Sequence, residues 1–295
     1  MRRRLNEKGL YPLSVQIVID SACDLPLHTA QNLGLTLLPL RTLFGTEEYL
    51  DGVNLTPRQF YEKLIETDLT PTTSQIPPAD YEAAFEKLTA NGDAVLCITV
   101  SSLLSGCCQS AHIAAERFGG KVIIIDSENV TIGEQLLVLR AVQLRDEHWS
   151  AWEMAEILNH EKKRIRLIAL LDTLEYLKRS GRISSTAALA GTLLSIKPVI
   201  ALVDGKIEML GKARGSKNGN NKLIELVKNS NGIDFAKPFM MAYSGLSDAM
   251  LQKYITDSHE LYEGQTEYLP VCAIGSTIGT HAGPGAIGVA WFEKA

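Results

Sequence analysis

The chain has 295 residues, 45% of them hydrophobic and 6% aromatic, and a formal net charge of −5. That length allows about two domains with a sizeable core, and the composition excludes a disordered or fibrous chain. A generic nucleic-acid binder would be basic, so the charge balance argues against one.

In chain order, Met1-Arg2-Arg3-Arg4 has the charge of a signal peptide's start but lacks the apolar stretch that should follow. Residues 1–13 read as a loose tail. Val15–Ile19 predicts a strand, Asp20-Ser21-Ala22-Cys23-Asp24 a turn, and Leu25-Pro26 the opening of a helix. Leu35–Leu40 is a second strand, and Leu43 to Tyr49 suggests a hairpin. Thr56-Pro57 is a strong helix start, a hydroxyl N-cap before a proline, and the helix runs through Phe60, Leu64 and Ile65. A loop is expected from Thr70 to Pro78, then a helix that ends at Asn91-Gly92. Ala94–Val100 reads as a buried strand. Ser101 to Gly106 is a loop feeding a helix to about Phe118, followed by strand Val122–Ile125. Two amphipathic helices are expected at about 131–146 and 150–162.

The second half starts with strand Leu167–Leu171 and helix Thr173–Arg179. Ser184–Leu194 is rich in small residues. Val199–Val203 and Lys206–Leu210 flank Asp204-Gly205, a hairpin signal. Helix Lys222–Val227, strand Phe239–Tyr243, helix Asp248–Tyr262, strand Tyr268–Ile274 and strand Ala286–Phe292 complete the chain. Strands separated by helices imply parallel pairing with helices over the sheet. The expected fold is therefore α/β in two domains. Residues 14–160 form the N-terminal domain, with a largely parallel sheet and flanking helices. Residues 161–295 form a C-terminal domain with a mixed sheet.

No stretch reaches the ~18 apolar residues that a bilayer span needs, so a cytoplasmic location is expected. The five cysteines, Cys23, Cys97, Cys107, Cys108 and Cys272, have neither zinc nor disulfide spacing, and reduced thiols fit best. There is no Gly-x-Ser-x-Gly, no P-loop and no His-Glu-x-x-His. Gly283 to Gly288 formally matches G-x-G-x-x-G, but only seven residues follow, which leaves no room for the helix that such a site requires.

Hydroxyls gather at strand ends and helix starts: Ser21, Thr73, Ser74, Ser101, Ser102, Ser105, Ser127, Ser276, Thr277 and Thr280. Ligands of open α/β sheets bind at the carboxyl ends of strands, and helix N-termini favour anions. Taken singly, each hydroxyl is more readily a helix cap; the joint pattern is what points to a ligand. Arg182 in a glycine-flanked turn and His281 in a glycine-rich loop are natural carboxylate or phosphate partners.

Taken together, the ordered segments Asp20-Ser21-Ala22-Cys23-Asp24-Leu25-Pro26, Asp51-Gly52, Thr73-Ser74-Gln75, Ser101 to Gly106 with Gln109-Ser110-Ala111, Leu174 to Leu177, Gly181-Arg182-Ile183, Lys197-Pro198-Val199 and His281 to Gly285 resemble the DegV family of bacterial fatty-acid-binding proteins. The resemblance implies a long-chain fatty acid held in a cleft between two domains, with no metal and no cofactor. It also implies a non-catalytic role, as the lipid-binding subunit of a fatty acid kinase. A separate ATP-binding kinase subunit would phosphorylate the bound carboxylate. Family head-group positions carry over onto Thr73, Ser105, Arg182 and His281. The expected carboxylate clamp is Thr73, Ser105 and His281, with Arg182 facing a phosphate or partner and Ser74, Ser102, Gly106, Ser276 and Thr277 in supporting loops. Small-residue segment Ala187–Thr192 and strand Val199–Val203 are candidate walls. Ile76-Pro77, Leu103 and Cys107-Cys108 depart from the family pattern, and one lysine expected in Arg214 to Asn218 is missing. The alternatives are a small-anion or lipid-processing enzyme, such as an esterase or phosphotransferase, and a lipid-sensing regulatory module.

Overall fold

The computed structural model describes residues 14–183 and 196–295. The expected N-terminal tail and the small-residue segment Ala187–Thr192 lie outside these residues. The N-terminal half contains β1 (Val15–Asp20), α1 (Leu27–Asn32), β2 (Leu35–Leu38), β3 (Arg41–Phe44), β4 (Glu47–Leu50), α2 (Pro57–Glu66), β5 (Thr72–Ser74), α3 (Pro78–Thr89), β6 (Ala94–Thr99), α4 (Cys107–Ala115) and β7 (Val122–Asp126). Strands β2-β1-β6-β7 form a four-stranded, fully parallel sheet. The expected hairpin pairs β3 with β4. The loop expected over Thr70–Pro78 instead contains β5, which adds to β3 and makes a three-stranded sheet. Only three residues of β5 pair, too few to show a period of two in the sequence.

Helices α5 (Thr131–Asp146) and α6 (Ala151–Glu161) follow. Helix α5 is not amphipathic as expected: it is buried on nearly every side, Glu134 included. It packs against β1 on one side and against the second sheet on the other, so solvent reaches it only in its last two turns, chiefly at Arg140, Gln143, Arg145 and Asp146. One apolar cluster runs through it, from Val15 and Ile17 to Ala290 and Phe292.

The second half contains β8 (Ile165–Leu170), α7 (Glu175–Arg179), β9 (Ile196–Val203), β10 (Lys206–Arg214), α8 (Gly215–Lys228), β11 (Phe239–Tyr243), α9 (Ala249–Asp257), β12 (Val271–Ala273), α10 (Ser276–Ala282) and β13 (Ile287–Phe292). Six strands pair in the order β10-β9-β8-β13-β11-β12; β11 and β12 are parallel and the other pairs antiparallel. This is the expected mixed sheet. Asp204 and Gly205 both have positive φ, +47° and +78°, as the tight β9–β10 turn requires. Helix α8 starts seven residues before the expected Lys222, because Asn and Gly positions hid its first turns. The fold is thus α/β, with one parallel and one mixed sheet on either side of α5.

All five cysteines are free and buried. No described helix is long and apolar enough to cross a membrane.

Candidate functional site

Helix α10 does not appear in the sequence reading, which placed His281 in a glycine-rich loop. The structure puts His281 in the last turn of α10, and the loop begins at Gly283. Two glycines in and beside a seven-residue helix concealed it. Gly279 is needed for packing: a Cβ there would meet Phe60 Cε1 at 2.6 Å and the Tyr61 hydroxyl at 2.7 Å, so α10 lies directly on α2.

The N-terminal end of α10 is held by acids from the other half of the chain. Gly275 N–H donates to Asp24 Oδ1 at 2.8 Å, and Ser276 donates to Asp51 Oδ1 from its N–H at 2.9 Å and its hydroxyl at 2.7 Å. Ser21 donates to Asp51 Oδ2 at 2.9 Å. These contacts satisfy first-turn N–H groups that have no partner within the helix. They also explain why the Asp20–Pro26 and Asp51-Gly52 segments matter: they fix the angle at which α10 leaves the sheet. Asp20, Asp24 and Glu134 are buried close together. Burial raises Asp20 to about 7, burial and the neighbouring Asp51 raise Asp24 to about 8, and burial holds Glu134 well above the carboxylate range.

With its start fixed, α10 carries His281 to Thr73. Thr73 Oγ1 and His281 Nε2 are 2.9 Å apart. Thr73 reaches this point through the small sheet, where it lies opposite Thr42, and Thr42 contacts Ser276 at 2.9 Å. Burial, and then the nearby Arg182 charge, lower His281 to about 4, so the ring is neutral near pH 7. Its Nδ1 is buried without a protein partner among the described residues, as is the Thr277 hydroxyl one turn earlier. With Nε2 protonated, the ring donates to Thr73 Oγ1 and leaves the Thr73 hydroxyl hydrogen for an anion.

Thr73, Ser105, Arg182 and His281 all line one cavity of about 360 Å³, together with Ser74, Gly106 and Thr277. Ser105 does not open α4 as expected. It lies one residue before the N-cap, Gly106, with its hydroxyl 3.3 Å from Cys107 Sγ. Gly106 is required because a Cβ there would sit 1.8 Å from Gln75 Oε1. Gln75 itself is tied to Ser110 at 2.8 Å. Arg182 Nε donates to Leu104 O at 3.3 Å, and Nη1 donates to Ser180 O.

Two supporting positions lie elsewhere. Ser102 is exposed, with its N–H on Asp126, and Ser276 is buried under Asp51 and Thr42. Neither lines the cavity. Ser21, Ser101 and Ser127 likewise bond within the protein, to Asp51, Gly205 O and Asn129 O. For these the capping and turn role is the right one.

The remainder of the cavity is apolar. Leu104, Val130, Ile132, Leu167, Leu171, Leu177, Ile200, Leu202, Ile207 and Ile274 line it, from the six-stranded sheet, from α5 and α7, and from the connecting loops. Ile200, Ala201 and Leu202 come from the strand expected as a wall. Its volume lies within the ~300–1,000 Å³ range of small-molecule sites, and the few polar groups sit among a large apolar surface. Such a space suits a long apolar molecule with one small polar end. Among the described residues no group of three His, Cys, Asp or Glu is placed to hold a metal ion. The Gly283–Gly288 stretch leads straight into β13, with no helix after it.

Comparison with known proteins gives a consistent result. The family described as "Uncharacterised protein, DegV family" matches residues 14–294. A DegV domain-containing protein from Deinococcus radiodurans is 36% identical over 282 residues, 94% of this chain and 98% of that one. A DegV family protein from Thermus thermophilus, described for its fatty acid binding, superposes with a TM-score of 0.85 at 30% identity, covering 96% of this chain and 100% of that one. A stearic acid-binding protein from Eubacterium ventriosum gives a TM-score of 0.84 at 27% identity, covering 95% and 98%. The chain belongs to the DegV family.

Proposed function

We propose that this chain binds one long-chain fatty acid, with its tail in the apolar cavity and its carboxylate at Thr73, Ser105 and His281. On this reading the cleft lies between domains 14–160 and 161–295. The observation that carries the proposal is the cavity itself: a largely apolar space whose polar groups include the Thr73–His281 pair and Arg182. The fatty acid binding described for the Thermus thermophilus relative supports it.

Energetics favour retention of such a ligand. Burying ~14 methylenes contributes about 11 kcal/mol before the costs of association. Each hydrogen bond to the carboxylate adds only ~1.5–3 kcal/mol. The tail therefore holds the ligand and the polar groups place its oxygen.

The role we infer beyond binding is presentation of the acid to a separate ATP-dependent kinase subunit. A carboxylate oxygen would attack the γ-phosphorus of ATP on that subunit, the bond to the ADP oxygen would break, and an acyl phosphate would form. Arg182 stands beside His281 with a planar guanidinium suited to phosphate. The chain supplies the position of the oxygen and the charge beside it. Lipid extraction from purified protein tests binding, and conversion of the bound acid to acyl phosphate with ATP and the kinase subunit tests presentation.

A further inference from the structure

We propose that Leu167 and Leu202 close the far end of the cavity at a fork in the six-stranded sheet, and that they set the longest acyl chain the protein accepts. The inference rests on the fatty-acid reading above.

Strands β8 and β9 pair only at Leu170–Val199, Ala169–Ile200 and Ile168–Ala201. Both strands continue beyond that point. Leu167 stays with β13, opposite Ala290, while Leu202 stays with β10, opposite Ile207. The sheet therefore splits between Leu167 and Leu202. A second space, a groove of about 500 Å³ open to the surface, touches Leu167, Ala201 and Leu202, the same three residues that bound the cavity. The groove also touches Ile168, whose side chain is on the opposite face of β8 from Leu167, as expected if the groove passes through the fork. Past the fork it runs over Val203 and Leu210, two apolar side chains left 37% and 39% exposed.

The fork is at the right end for a tail. Leu171 packs with Leu177 and Ala282, next to His281. Leu167 is four residues back along β8, roughly 13 Å away at the rise of an extended strand. A chain held by its carboxylate near His281 and laid along β8 thus meets Leu167 and Leu202 at its methyl end. Leu167 is 4% exposed and Leu202 is half-buried, so their side chains fill the space between cavity and groove. Shortening either one joins the two spaces.

The test is binding of a homologous series of saturated straight-chain acids to the purified full chain. Each methylene moved from water into apolar space raises affinity about four-fold, up to the length the cavity holds. In the wild type the rise should stop at one length. Leu202→Ala and Leu167→Ala should each move that stop to longer acids, Leu202→Trp should move it to shorter ones, and the volume-conserving Leu202→Met should leave it in place. In the Leu202→Ala background, Leu210→Asp should weaken only the longest acids. A stop that stays at the wild-type length in both alanine variants, with melting temperatures showing that they fold, overturns the proposal. Failure of the wild type to bind any acid would instead overturn the fatty-acid reading and this inference with it.

Discussion

Thr73 Oγ1 and His281 Nε2 lie 2.9 Å apart across 208 positions of sequence. Neither side chain has a partner of that kind nearby in the chain, and the contact exists because β5 and α10 are placed by separate supports. Replacing either residue should weaken acid binding only modestly. We expect Thr73→Ala and His281→Ala each to cost ~1.5–3 kcal/mol of affinity, measured by competition with a fluorescent acid. Kinase-dependent turnover should fall further, because the oxygen is then misplaced for phosphoryl transfer.

Arg182 should separate binding from turnover. Its guanidinium contacts Leu104 O and Ser180 O, and it borders the cavity beside a neutral histidine. The Arg182→Ala protein should retain its lipid through purification yet lose acyl phosphate formation with ATP and the kinase subunit. Equal turnover in variant and wild type would remove Arg182 from the mechanism.

The buried titratable groups predict opposed pH effects. Asp20 and Asp24 have folded values of about 7 and 8, against 3.8 when unperturbed. Between those limits the folded protein keeps protons that the unfolded chain has lost, so this contribution to stability falls as pH rises. His281 acts the other way: lowered from 6.5 to about 4, it favours folding as pH rises through that lower window. Above pH 6.5 only the carboxylate effect remains. Melting temperature should therefore decline from about pH 6.5 to 8, and Asp24→Asn should flatten the decline. Without ligand, His281 should titrate near 4 by NMR, and a bound carboxylate should move it upward.

Gly279→Ala should loosen the whole arrangement. The added methyl meets Phe60 and Tyr61 side-chain atoms, and both side chains are fully buried. A loss of about 1–3 kcal/mol is expected from overpacking. Because α10 also carries His281, acid affinity should fall together with stability in chemical denaturation and binding assays on the same preparation.

Local signals made much of this legible in the sequence. Thr56-Pro57 forms a full capping box with Gln59, the Asp204-Gly205 turn is where dihedral preference puts it, and strand–helix alternation gives the parallel sheet. What was hidden depends on packing between distant segments. Helix α10 is short, and Gly279 is there for contact with α2 rather than for a loop. Helix α5 was expected to show a polar face because the sequence alone does not reveal that both sheets cover it. The hydroxyls divided in the same way. Ser276 and Ser21 are absorbed by Asp51, a residue no local pattern links to either, whereas Thr73 and Ser105 remain at the cavity.

The central claim, one long-chain fatty acid in the cavity, is most directly tested by mass spectrometry of lipid extracted from the purified full-length protein, quantified against protein. The account predicts a long-chain free fatty acid approaching one per chain, or saturable uptake of added acid to that ratio after delipidation. Absence of any acid in the extract, together with no binding of added acid, would contradict it.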